Sequence, residues 1–174
     1  GVYNGNATWS DYDNDNDLDI LITGNVGGNP YTAIYKNTSN KYSMLSQRFI
    51  PLMNSAAAWG DFDNDGLVDF IISGADNDGY PLCLIYKNQS GSLFEEVYIS
   101  CRPLMGCSID LGDYDNDGDA DLYVANFGVD AFYCNNGDGP FSNVTQQAGL
   151  GNPEWGVAST FLDYDLDGNL DLFV

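Results

Sequence analysis

The stretch Asp61-Phe62-Asp63-Asn64-Asp65-Gly66-Leu67-Val68-Asp69 places carboxylates at positions 1, 3, 5 and 9 of nine residues, with glycine at position 6. In a tight turn, positions 1, 3 and 5 bring three carboxylates to the concave side. Position 7, here Leu67, offers a backbone carbonyl, and position 9 returns a fourth carboxylate from the start of the next strand. Glycine at position 6 permits the positive φ that closes such a turn. Carboxylates held so close repel one another unless a cation lies between them.

The pattern occurs four times. Asp11, Asp13, Asp15, Asp17 and Asp19 form the first copy; Asp61, Asp63, Asp65 and Asp69 form the second. Asp113, Asp115, Asp117, Asp119 and Asp121 form the third, and Asp163, Asp165, Asp167, Asn169 and Asp171 the fourth. The loops span 11–19, 61–69, 113–121 and 163–171, and their starts lie 50, 52 and 50 residues apart. Asn16 replaces glycine in the first copy, a substitution that the left-handed tolerance of asparagine allows. Asp17, Asp119 and Asn169 at position 7 are expected to contribute backbone oxygen, with the Asp17 and Asp119 side chains turned outward.

The repetition extends beyond the loops. Pro51-Leu52-Met53 recurs as Pro103-Leu104-Met105, and Ile34-Tyr35-Lys36-Asn37 as Ile85-Tyr86-Lys87-Asn88, with Phe132-Tyr133-Cys134-Asn135 as a third version. The unit is therefore about 50 residues long. Each loop precedes a short apolar run, such as Ile20-Leu21-Ile22, Phe70-Ile71-Ile72 or Leu122-Tyr123-Val124. These runs are too short for helices and read as strands buried on both faces. The stretch before each loop supplies a first strand, Tyr-Lys-Asn a third, and the segments around Phe94 and Phe141 a weaker outer strand. Four short antiparallel strands per repeat predict an all-β chain of β-propeller blades, about 3.5 repeats of a partial propeller. A β-solenoid is the structural alternative.

Composition narrows the function. The 174 residues carry 26 acidic and 5 basic side chains, a net charge of −21, and no histidine. Nucleic-acid binding depends on basic contacts to phosphate, so it is not expected. Without histidine the usual general base and the commonest zinc ligand are missing. No apolar run approaches a membrane span, so no membrane insertion is expected in this segment. Aromatics at 14% and apolar residues at 44% supply a core, which excludes a disordered acidic tail. The all-oxygen donor set selects hard ions, and its flexibility favours Ca²⁺ over Mg²⁺, about four ions at one per loop. An EF-hand does not fit, because its bidentate position 12 falls on Ile72, inside a strand.

The second loop resembles the calcium loop of FG-GAP repeats, as in integrin α-subunit propellers. Asp121-Leu122-Tyr123-Val124-Ala125-Asn126-Phe127-Gly128, followed by Asn135-Asn136-Gly137-Asp138-Gly139-Pro140-Phe141, resembles the related VCBS repeats. Val144-Thr145 through Ala148-Gly149-Leu150 is similar to cartilage-acidic-protein (ASPIC-type) chains. Residues 1–174 then form a single repeat region. The resemblance implies blades of a seven- or eight-bladed propeller with calcium at one rim, and a piece of a larger propeller completed by further chain or by self-assembly. The family's Gly-Ala-Pro element is absent, with Ser73-Gly74-Ala75 a partial echo.

The function expected is an extracellular or cell-surface calcium-binding module for protein or glycan recognition and adhesion, with structural calcium and no catalytic residues. Tyr31, Tyr80 and Trp155 are read either as partner contacts or as packing between blades. One alternative is a subunit of a glycosylated extracellular fibre or surface coat. Another is a non-catalytic part of a calcium-dependent polysaccharide-acting enzyme; a base for lyase chemistry would have to come from Lys41, Arg48 or Arg102, which nothing groups. Sequons at Asn6, Asn37, Asn88 and Asn143 are glycosylation candidates in a secreted chain. Cys101 and Cys107 are placed for a local disulfide, and Cys83 and Cys134 for one between neighbouring blades, with buried free thiols as the alternative.

Overall fold

The hydrophobic pattern of the middle strand of each repeat decides how the repeats assemble. Phe70, Ile71 and Ile72 are all fully buried. Successive side chains of a strand point to opposite faces, so this strand needs cover on both sides. In the computed structural model, which describes residues 1–98, 108–126, 128–137, 141–150 and 156–174, neighbouring repeats provide that cover. Phe70, Ile72, Leu84 and Tyr86 pack towards Tyr12, Leu21 and Ile34 of the first repeat. Ile71, Cys83 and Ile85 pack towards Leu122, Val124 and Tyr133 of the third. Burying one such apolar side chain stabilises the fold by roughly 1.5–3 kcal/mol.

Each repeat is an antiparallel meander, which is the geometry that short connections between sequential strands enforce. The first sheet runs β1 (Tyr3–Ser10), β2 (Asp19–Val26), β3 (Asn29–Asn37) and β4 (Tyr42–Met44). The second runs β5 (Met53–Gly60), β6 (Asp69–Ala75), β7 (Pro81–Asn88) and β8 (Phe94–Tyr98). The third runs β9 (Ser108–Gly112), β10 (Asp121–Ala125), β11 (Ala131–Cys134) and β12 (Ser142–Asn143). β13 (Thr160–Leu162) and β14 (Asp171–Phe173) form a two-stranded sheet that opens a fourth unit. No helix occurs among the described residues, and none is long and apolar enough to cross a membrane. The chain is therefore all-β, with tandem four-stranded blades that do not close into a ring.

Register places the loops. Ser10 faces Asp19, Gly60 faces Asp69, Gly112 faces Asp121 and Leu162 faces Asp171. Each Asp-rich loop thus joins the first and second strands of its blade at the same end. The first strands of successive blades lie side by side, so the loops do too. The first two blades share a bulge, between Tyr3 and Asn6 and between Met53 and Ala56. There the backbone packs so closely that a Cβ on Gly74 would lie 2.8 Å from the Ser55 Cβ and 2.9 Å from the Met53 carbonyl oxygen.

Two expectations are corrected. Phe141 lies just before β12 rather than within it, packing edge-on to Phe62 of the preceding blade at 5.9 Å. Its ring packs between sheets, and β12 pairs with β11 through Ser142 and Asn143. Cys134 is a buried free thiol while Cys83 is disulfide-bonded, so these two do not pair with each other. Cys101 and Cys107 lie outside the described residues, as does Trp155.

Candidate metal centres

Each loop is shaped by its own aspartates before any ion is considered. The position-1 carboxylate accepts two backbone N–H groups of its own turn. Asp61 takes those of Asp65 at 3.2 Å and Gly66 at 2.9 Å, and Asp11, Asp113 and Asp163 repeat the arrangement. The position-5 carboxylate accepts the N–H of position 7: Asp65 from Leu67, Asp15 from Asp17, Asp117 from Asp119 and Asp167 from Asn169. Position 6 takes the left-handed conformation, at φ 69° for Asn16, 85° for Gly66, 96° for Gly118 and 90° for Gly168. So does position 4, with Asn14, Asn64, Asn116 and Leu166 at φ 54–63°. The sequence did signal that second site, through asparagine in three of the four copies.

The position-9 aspartate ties the loop to the blade. Asp69 accepts from the Phe62 N–H at 3.1 Å and from the Asn88 N–H, at the end of β7, at 2.7 Å. Asp19 does the same with Tyr12 and Asn37, and Asp121 with Tyr114 and Asn135. All three are essentially inaccessible to solvent. Burial, opposed by these hydrogen bonds, pushes each carboxyl up to about 6. Asp171 keeps the first bond, to Tyr164, but is exposed, since no third strand covers it among the described residues.

The remaining oxygens converge. Carboxylate oxygens of Asp11, Asp13 and Asp15 lie within 4.8 Å of one another. The same holds for Asp61, Asp63 and Asp69, for Asp113, Asp115 and Asp121, and for Asp163, Asp165 and Asp171. The triads therefore use positions 1, 3 and 9 in three loops and 1, 3 and 5 in the first. Asp65, Asp117 and Asp167 fall outside their triads, as does Asp19. The polar side chains at position 7 have hydrogen-bond partners of their own. Asp17 accepts the Ser39 N–H, Asp119 the side-chain amide of Asn64, and Asn169 that of Asn116. The last two bonds link adjacent loops along the rim.

Two oxygens bear on what these clusters can hold. Asp13 Oδ1 and Asp63 Oδ1 are buried and meet no hydrogen-bond partner among the described residues. A buried carboxylate oxygen left without a partner is costly. It sits here within a cluster of hard oxygen donors, so the residues present fit a hard divalent cation.

The glycosylation expectation at the third strand is corrected. Asn88 is 1% exposed, and its side-chain nitrogen donates to the carbonyls of Tyr12 and Val68. That nitrogen is the atom a glycan would occupy. Asn135 makes the matching bond to Phe62, and Asn37 is buried with its amide on the Leu18 carbonyl. Asn6 and Asn143 are exposed. Tyr80 is exposed, whereas Tyr31 is half-buried with its hydroxyl on that of Tyr35.

The model of the FG-GAP-like repeat matches residues 11–72, 61–124 and 113–174. The chain belongs to the FG-GAP-like repeat family. No curated protein matches it. Among solved structures it is similar to one described as the basis of specific recognition of non-reducing terminal N-acetylglucosamine by an Agrocybe aegerita lectin, at TM-score 0.57 and 19% identity. That match covers 97% of this chain and 46% of the other, so these FG-GAP-like repeats span about half the lectin chain's length.

Proposed function

We propose that the chain is a calcium-stabilised extracellular propeller module that recognises a protein or glycan partner and catalyses no reaction itself. The observation that carries the calcium reading is the pair of buried, unpartnered oxygens on Asp13 and Asp63, each inside a carboxylate triad. Four divalent ions would bring the net charge from −21 to −13. They would also reduce the repulsion that opposes a compact state. Calcium here makes rigid the rim along which the loops are already linked by Asn64 to Asp119 and Asn116 to Asn169. The recognition role is supported by the repeat family and by the likeness of fold to a lectin.

Thermal melting in excess calcium and in excess chelator, at matched ionic strength, tests the metal reading. Each site filled at a hundredfold excess over its dissociation constant adds about 2.7 kcal/mol, so a large calcium-dependent rise is expected, with a smaller one for magnesium. Coincident melts would overturn it. A glycan array probed with the calcium-loaded protein tests recognition of sugars, and its failure leaves a protein partner as the reading.

A further inference from the structure

One register position distinguishes the loops from one another. The residue just before the buried asparagine at the end of the third strand (just past it in the third blade) is Lys36 in the first blade, Lys87 in the second and Cys134 in the third. In each case its side chain meets the position-3 aspartate of its own loop. The Lys36 ammonium pairs with Asp13 and lies 3.2 Å from Asp15 Oδ2. The Lys87 ammonium lies 3.1 Å from Asp63 Oδ2. The Cys134 thiol donates to the Asn135 carbonyl at 3.3 Å and to Asp115 Oδ2 at 3.6 Å. Two loops therefore contain a tethered positive charge and one contains a neutral group.

We propose that this residue grades the cation affinity of its loop, with Lys36 and Lys87 acting as built-in competitors that make the first two loops weaker sites than the third. The inference rests on the reading of the loops as cation sites. The physical case is direct. A divalent ion in the first loop needs oxygens of Asp13 and Asp15, which already hold an ammonium. Binding requires that ammonium to be displaced, or to stay near a second positive charge. A tethered competitor acts at a high effective concentration. Conversely, the unpartnered Oδ1 atoms of Asp13 and Asp63 show that one ammonium does not satisfy the cluster, so these loops still accept an ion. In the third loop the position-3 carboxylate meets only a thiol among the described residues. It then offers its charge to an entering ion without competition. The chain would fill in two stages as calcium rises, the third loop before the first two.

The test is calorimetric titration of calcium into the wild type, K36M, K87M and the double variant, with K41M as control. Methionine keeps the length of the stem and removes the charge. Lys41 is exposed and makes no ion pair with a loop carboxylate among the described residues, so K41M changes net charge equally without removing a loop ion pair. Chelator melts establish that each variant is folded. The expected result is at least two affinity classes in the wild type. Each loop variant should move one weak site up by about tenfold or more, and K41M should move none. Binding with unaltered affinities in K36M and K87M, or an equal change in K41M, overturns the inference and leaves the calcium reading standing. No calcium binding in any of the proteins overturns both. Binding only in the lysine variants sustains the competition and overturns the calcium reading for the first two loops.

Discussion

The side-chain amide of Asn88 donates to the main-chain carbonyl of Tyr12, 2.9 Å away and in the preceding blade. Tyr12 in turn stacks on Trp59 of the Asn88 blade, with ring centroids 5.9 Å apart and planes 3° from parallel. One residue of the loop thus meets its neighbour twice, by its backbone and by its ring. Asn135 repeats the backbone contact with Phe62 at 2.9 Å.

Loss of the Asn88 amide should therefore loosen the joint between blades. Asn88→Ala leaves the Tyr12 carbonyl buried without that donor, and Asn88→Asp adds a buried charge facing it. Each is expected to destabilise by about 1–3 kcal/mol, with Asp at least as harmful, as read by urea unfolding. For the same reason, protein from a glycosylating host should carry no glycan at Asn88 in its folded fraction. Peptide mass analysis checks this.

The buried position-9 carboxyls set an unusual response to pH in the metal-free protein. Asp19, Asp69 and Asp121 titrate at about 6 when folded and nearer 3.8 when unfolded, because burial opposes their charged form. The folded state then binds more protons between these values. Their ionisation penalises the fold fully above about 6 and not at all below 3.8. In chelator, the melting temperature is expected to rise as pH falls from 7 to 5. In excess calcium the trend should reverse, because protons compete with the ion for carboxylates. Melting curves across that range, with and without calcium, decide the point.

Leu166 holds position 4 of the fourth loop at φ 63°, where the other three loops use asparagine. Its side chain is 86% exposed, so it gains little from packing. A left-handed non-glycine residue costs roughly 1–2 kcal/mol. Leu166→Asn is expected to protect the Asp167 and Gly168 amides, which bond to Asp163, by several-fold in hydrogen exchange. Unchanged exchange would show that the strain is relieved elsewhere.

Cys134 should be chemically silent. Burial, with the charges of Asp121 and Asp115 adding to it, pushes its thiol up to about 12, and the thiolate is the reactive form. A thiol reagent at pH 8 is expected to leave Cys134 unlabelled until denaturant is added.

Much of this was readable in the residues. The spacing of Asp61, Asp63 and Asp69 predicts a turn that gathers oxygens, and the spacing of the loops predicts equal blades. The sequence could not show that Asp65 turns to its own backbone while Asp69 does the gathering. That choice depends on where the Asn88 N–H arrives from β7, a contact between residues 19 apart. Nor could a sequon reveal its own burial: Asn88 looks like a surface acceptor until the preceding blade is in place. Lys36 and Lys87 were visible as part of a strand, but their meeting with Asp13 and Asp63 follows from the pairing of three strands. The pairing of Cys83 likewise depends on tertiary distances that no spacing rule supplies.

The reach of Asn88 and Asn135 also bears on how such a chain changes over generations. Each amide grips the same backbone atom of the unit before it, whatever side chain that residue carries: tyrosine in one case, phenylalanine in the other. A joint made through the main chain asks nothing of its neighbour's identity. A stretch of coding sequence about one unit long can be copied or lost in a single event, and the new junction inherits its fastening ready-made.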